Sequence, residues 1–160
     1  MLEELVPARF GLLRPGAVVE AIHFGRLHTD SLRELPPLVF AAAGEGDGPA
    51  RGIIDRLADE VVAMAGAAIR RLRLVGADAD VVLGGGVFRN DDATMMGRIR
   101  DGVRAVAPGS RVTRLNAPPL VGAVLLGLDR LGANRATMER VRDRITHDRL
   151  SGERERAGGV

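Results

Sequence analysis

Residues 80–90 read DVVLGGGVFRN, and this stretch decides the fold. The apolar run Val81, Val82, Leu83 has the length of a buried strand, and it passes directly into Gly84, Gly85 and Gly86, which end it in a loop. Asn90 or Asp91 is placed to cap the helix that follows, ATMMGRIRDGVRAVA over 93–107, which stops at Pro108 and Gly109. RVTRL at 111–115 then alternates with β-branched residues, NAPP makes a short connection, and LVGAVLLGLDRLGA at 120–133 is a helix of small and apolar residues. Strand, helix, strand and helix joined by short connections predict a parallel βαβα unit, hence a helix-rich α/β fold with about two parallel strands and flanking helices.

Upstream, ARGIIDRLADEVVAMAGAAIRRLRL at 50–74 carries apolar Ile53, Leu57, Val61, Met64, Ala68 and Leu72 at spacings of three and four, the period of an amphipathic helix. Asp47 is its expected N-cap, Pro49 lies in its first turn, and Gly76 is its expected end. Residues 2–46 read as short helices with breaks. Pro15 and Gly16 open one of them, and Ser31 is the expected cap of another, SLRELPPLVFAAAGEG. From Asn134 onward the chain holds seven Arg and five acidic residues. The period of Met138, Val141 and Ile145 predicts a terminal helix over 134–150 with a solvated face, followed by a disordered tail over 151–160.

Composition removes several function classes. The 160 residues, 46% of them apolar, suffice for one domain of ordinary size with its own core. Cysteine is absent, which excludes disulfides, thiolate metal sites and cysteine nucleophiles within this chain. All 23 basic residues are Arg, yet the net charge is only +2. The four aromatic residues are all Phe and do not interleave with Arg, so no nucleic-acid partner is expected. The start MLEELVPARF lacks a basic region followed by an apolar run, and the apolar stretches are shorter than the roughly 20 residues of a membrane span. The expectation is a cytoplasmic protein with no membrane partner. None of the three His is spaced as a metal pair. His23, between Ile22 and Phe24, reads as packed at a helix interface, His28 and His147 as exposed, and no Ser or Cys beside them supports a hydrolytic triad.

The glycine run is where chemistry is expected. Glycine has no Cβ, so a ligand can touch the backbone at Gly84–Gly86. In a parallel sheet such loops lie at the carboxyl ends of strands, where ligands usually bind, and the next helix start presents free N–H groups to an anion. The run is neither GxGxxG nor GxxxxGK[ST], and a chain without Lys holds no Walker-type clamp. On the pattern alone, a tight structural turn and a ligand loop both stay open. Asp91 and Asp92 read as helix-start acids favoured by the helix dipole, and Asp78 and Asp80 lie at the far end of the strand.

VVLGGGVFRN, followed by a helix, a strand and PPLVGAVLLGL, with GEGDGPA ahead of the long helix, resembles the carboxyl-terminal half of the N-acetylglucosamine kinase or BadF/BadG-type ATPase family. That family lies within the actin, sugar kinase and heat-shock ATPase superfamily. The likeness runs from about Leu12 to Ala133 and implies a partial ribonuclease H-like lobe, with residues 1–133 an incomplete carboxyl-terminal lobe. It implies further that Gly84, Gly85 and Gly86 line an adenine nucleotide, with Val87 and Phe88 beside it. Pro118, Pro119, Val121, Gly122 and Ala123 would start a helix packed close to the sheet. Gly46 and Asp47 are read as the helix cap and not as ligand contacts.

In the family, ATP and Mg serve phosphoryl transfer to a sugar. The glycine-rich phosphate loops, the sugar pocket and the carboxylate base of the family do not occur in this sequence, so it contains no expected catalytic residue or Mg ligand. The expectation is therefore the nucleotide-binding half of an ATP-dependent sugar kinase, inactive alone. Its partner would be the amino-terminal lobe, another chain, or a second copy, because a two-stranded sheet has open edges. The alternative is a non-enzymatic module for self-association or partner binding derived from a kinase lobe. The family's iron–sulfur members need thiolate ligands, which this chain lacks.

Overall fold

The computed structural model describes residues 1–115 and 117–145. It divides into two compact units, Met1–Thr113 and the residues from Arg114 onward, each taken by itself below.

The first unit is built on the helix α4, Gly48–Arg71, after the shorter α1 (Leu2–Arg9), α2 (Pro15–His23) and α3 (Leu35–Gly44). A 3-10 turn, Thr29–Glu34, leads into α3. Asp47 caps α4 as expected, its Oδ1 accepting from the Ala50 N–H at 2.9 Å, while Oδ2 accepts from the Leu2 N–H at 2.9 Å. One carboxylate thus starts the long helix and ties α1 to it. These N–H donors, that of Leu2 first and then that of Ala50, hold the Asp47 carboxyl below the usual range.

α4 buries a different stripe from the one its large residues suggest. Ala50, Ile54, Ala58, Val61, Gly66 and Ile69 are buried, whereas Ile53, Met64 and Leu72 are exposed. Small residues allow the neighbouring helix α5 (Ala93–Val106) a close approach, and that shifts the contact line by about one residue. The closeness is measurable at Gly102 on α5, where a Cβ would lie 2.6 Å from Val62 Cγ2. From α5, Met95, Met96, Ile99 and Val103 are buried against this face, and Phe40 comes in from α3. At the rim, Arg98 holds Asp59 through two bonds of 2.6 and 2.8 Å.

α4 also ends earlier than Gly76. Leu72 follows Arg71 as C-cap, and Arg73 turns the chain with φ +58°. The strands are β1 (Asp80–Leu83) and β2 (Arg111–Arg114), paired in one two-stranded parallel sheet with α5 as the connection between them. Exposed Arg111 reaches Asp80 across the strands at 2.9 Å. Two helix caps differ from expectation. The 3-10 turn is started by His28, whose Nδ1 accepts from the Asp30 N–H at 3.2 Å, and not by Ser31. α5 is started by Asp92, not Asn90 or Asp91: its Oδ1 accepts from the Met95 N–H at 2.7 Å. Asn90 folds the turn before it, with Oδ1 accepting from the Asp92 N–H at 3.0 Å. His23 is exposed, its ring set edge-on to that of exposed Phe24 with centroids 5.0 Å apart, so it is not buried at a helix interface.

In the second unit, α6 (Pro119–Arg130) packs with α7 (Arg135–Arg144). Val121 is buried, and Asn134 caps α7 by accepting from the Thr137 N–H at 2.9 Å. The terminal helix expected over 134–150 is present as α7 to Arg144; the rest of that span and the tail expected over 151–160 lie outside the described residues. Among the described residues, no helix is long and apolar enough to cross a membrane.

Candidate functional site

At the end of β1 the chain leaves the core abruptly. Leu83 is buried, whereas Gly84, Gly85 and Gly86 are all exposed. Gly85 sits at φ +117° and ψ 165°, a conformation side chains rarely adopt, so the loop depends on glycine at this position. The backbone then closes a single 3-10 turn, Gly86–Arg89, before Asn90 and Asp92 begin α5.

That turn sorts the expected site residues. Gly86 and Val87 line an open cleft of ≈ 790 Å³, together with Arg89 and Asn90. Phe88 does not line it and, like Val87, packs against the core. Gly84 and Gly85 shape the loop without lining the cleft. The opposite wall is formed by Arg33 from the 3-10 turn and by Pro36, Pro37 and Phe40 of α3. These residues lie some fifty positions upstream, and nothing in the local pattern of 80–90 announces them.

The cleft is cationic. Arg33 is exposed and only loosely held by Asp30 at 3.6 Å, and Arg89, on the facing wall, has no carboxylate partner among the described residues. Among the described residues, no acidic side chain lines the cleft. An arginine on each side of a backbone-lined opening suits an anion such as a phosphate, which a guanidinium grips through two parallel N–H groups.

Carboxylates near the loop are committed elsewhere. Asp92 accepts from Arg51 Nη1 at 2.7 Å as well as from Met95. Burial pushes its carboxyl upward, but the Arg51 guanidinium and the helix-start N–H groups outweigh this and leave it below the usual range. Arg51 in turn also binds Asp55 at 3.1 Å, and its pKa is raised, chiefly by the bond to Asp92. Asp80 lies with Arg111 at the far end of β1. Among the described residues no group of three or more His, Asp or Glu side chains is placed to hold a metal ion.

In the second unit, Pro118, Val121 and Gly122 line a separate pocket of ≈ 430 Å³ closed by Leu125 and Arg142. Ala123, on the same helix, is exposed and does not line it. None of the protein-family models, curated proteins or solved structures compared with this chain matches it.

Proposed function

We propose that the cleft beside the glycine loop is a seat for an adenine nucleotide, and that the chain is the nucleotide-binding half of an ATP-dependent sugar kinase of the N-acetylglucosamine kinase type. The observation that carries this is the joint placement of Gly86, Val87 and Arg89 opposite Arg33 around one ≈ 790 Å³ opening at the end of a parallel strand. Gly86 lets a ligand approach the backbone, and the two guanidinium groups offset phosphate charge.

Phosphoryl transfer needs more than a seat. It requires an in-line nucleophile, charge neutralisation on the transferring group and usually a base. Among the described residues that line the cleft there is no carboxylate to serve as a base, and on this reading the chain alone holds a nucleotide without transferring its phosphate. The sugar site and the phosphate loops would come from an amino-terminal lobe or another chain. Equilibrium dialysis with labelled ATP tests the seat, and incubation with N-acetylglucosamine tests transfer. Saturable ATP binding without sugar phosphate is expected; absence of saturable binding refutes the seat.

A second reading, a self-association or partner-binding module, is favoured by the two-stranded sheet, in which each strand has a single neighbour among the described residues. Sedimentation across a concentration series separates the two. Concentration-dependent association in a chain that binds no ATP would favour the module.

A further inference from the structure

The cleft shares Pro36, Phe40 and Val87 with a second pocket of ≈ 260 Å³. The smaller pocket is lined by Leu, Ile, Val, Pro and Phe only: besides the shared residues its walls include Leu35 and Val39 of α3 and Ile54 and Leu57 of α4. Two chemistries thus meet along one wall, a cationic opening and an apolar recess. A ligand matching both has a flat apolar end and an anionic tail.

We infer that the nucleotide's base occupies this apolar recess while its phosphates stay in the cleft with Arg33 and Arg89, and that the recess accepts adenine and guanine alike. This rests on the nucleotide seat proposed above. Adenine and guanine differ at their edge, where an amino donor in one is a carbonyl acceptor in the other. Telling them apart takes a hydrogen-bonding group facing that edge, since only a mismatched polar group imposes a large penalty. A wall of aliphatic carbons, one proline ring and one phenyl ring senses shape and apolar area, which the two purines largely share. Selection falls on ring size and phosphate number.

Titration calorimetry of the full chain with ATP, GTP and inorganic triphosphate tests this, with Val39→Phe as the variant that fills the recess. ATP and GTP are expected to bind within about tenfold of each other, the range left when no polar group reads the edge. Both should bind more tightly than inorganic triphosphate, and Val39→Phe should bring both down to its level. A preference for ATP over GTP well beyond tenfold overturns the inference while leaving the nucleotide seat intact. So does a folded Val39→Phe chain with unchanged ATP affinity. Absence of binding by either nucleotide refutes the seat itself and the inference with it. The ATP to GTP ratio of the unaltered chain decides the matter even where Val39→Phe fails to fold, and far-ultraviolet circular dichroism reports that folding.

Discussion

The α4–α5 interface and the glycine-loop cleft lie in the same compact unit and are built on opposite terms. At the interface, buried aliphatic side chains interlock so closely that Gly102 has no room for a Cβ beside Val62, and the charged groups at its edge are paired: Arg51 with Asp92 and Asp55, Arg98 with Asp59. At the cleft, glycines are exposed, Gly85 takes a backbone conformation open to few residues, and Arg33 and Arg89 stand exposed with little holding them. One region gathers buried and paired groups that stabilise the fold, and the other, where the nucleotide seat is proposed, leaves Arg33 and Arg89 exposed. Substitutions should therefore divide cleanly: those at the interface cost stability, and those at the cleft cost binding.

The largest effect is expected from Ile99→Ala, which empties a fully buried site in the core and should lower stability by about 2–5 kcal/mol in urea unfolding. Gly102→Val comes next, because its side chain collides with a stiff β-branched neighbour on α4, at a cost of about 1–3 kcal/mol. Asp92→Ala removes the α5 cap and the partner of Arg51 together, and should cost about 2 kcal/mol by the same measurement. The comparison breaks if these three leave the unfolding midpoint where it was.

A smaller effect is expected on lowering the pH. Asp92 has a carboxyl pKa below its unfolded value, so its contribution is present above the unfolded value of about 3.9 and is lost as pH falls through the lower folded value. Urea midpoints should be flat from pH 7 to about 5 and fall below about 4, and Asp92→Asn should lessen that fall, leaving the share of Asp47, whose carboxyl is also held low. The smallest effect on stability belongs to Arg89→Ala, expected within about 0.5 kcal/mol of the parent, as for other exposed substitutions. The same change should weaken ATP binding by about fivefold or more, in line with a charged hydrogen bond of at least about 1 kcal/mol. A loss of stability without loss of binding at Arg89 would erase the distinction between the two regions.

The order of elements was legible in the sequence because turns and period changes are local: Gly84–Gly86 ended β1, Asp47 capped α4, and β2 fell at the alternating RVTR. The stripe buried by α4 was less legible. Period alone places a face, but Ala58 and Gly66 were buried in preference to Met64 and Leu72 because a close helix crossing favours small residues. The α5 cap was legible to within one or two residues, since Asn90, Asp91 and Asp92 compete for the same role and only the geometry of the turn selects Asp92. Half of the cleft was legible, at Gly86 and Val87. Phe88, read as lying beside a ligand, lies in the 3-10 turn, packs against the core and does not line the cleft. The facing wall at Arg33, Pro36 and Phe40 comes from a segment whose own pattern shows only a proline-rich helix start, and long-range folding alone brings it there.

The most direct measurement is a two-dimensional amide NMR titration of the chain with ATP. The expected result is saturable shifts at the amides of Arg33, Gly86, Val87 and Arg89, with an affinity of about 1 mM or tighter. Shifts confined to α6, or none in that concentration range, would contradict a nucleotide seat at the glycine loop.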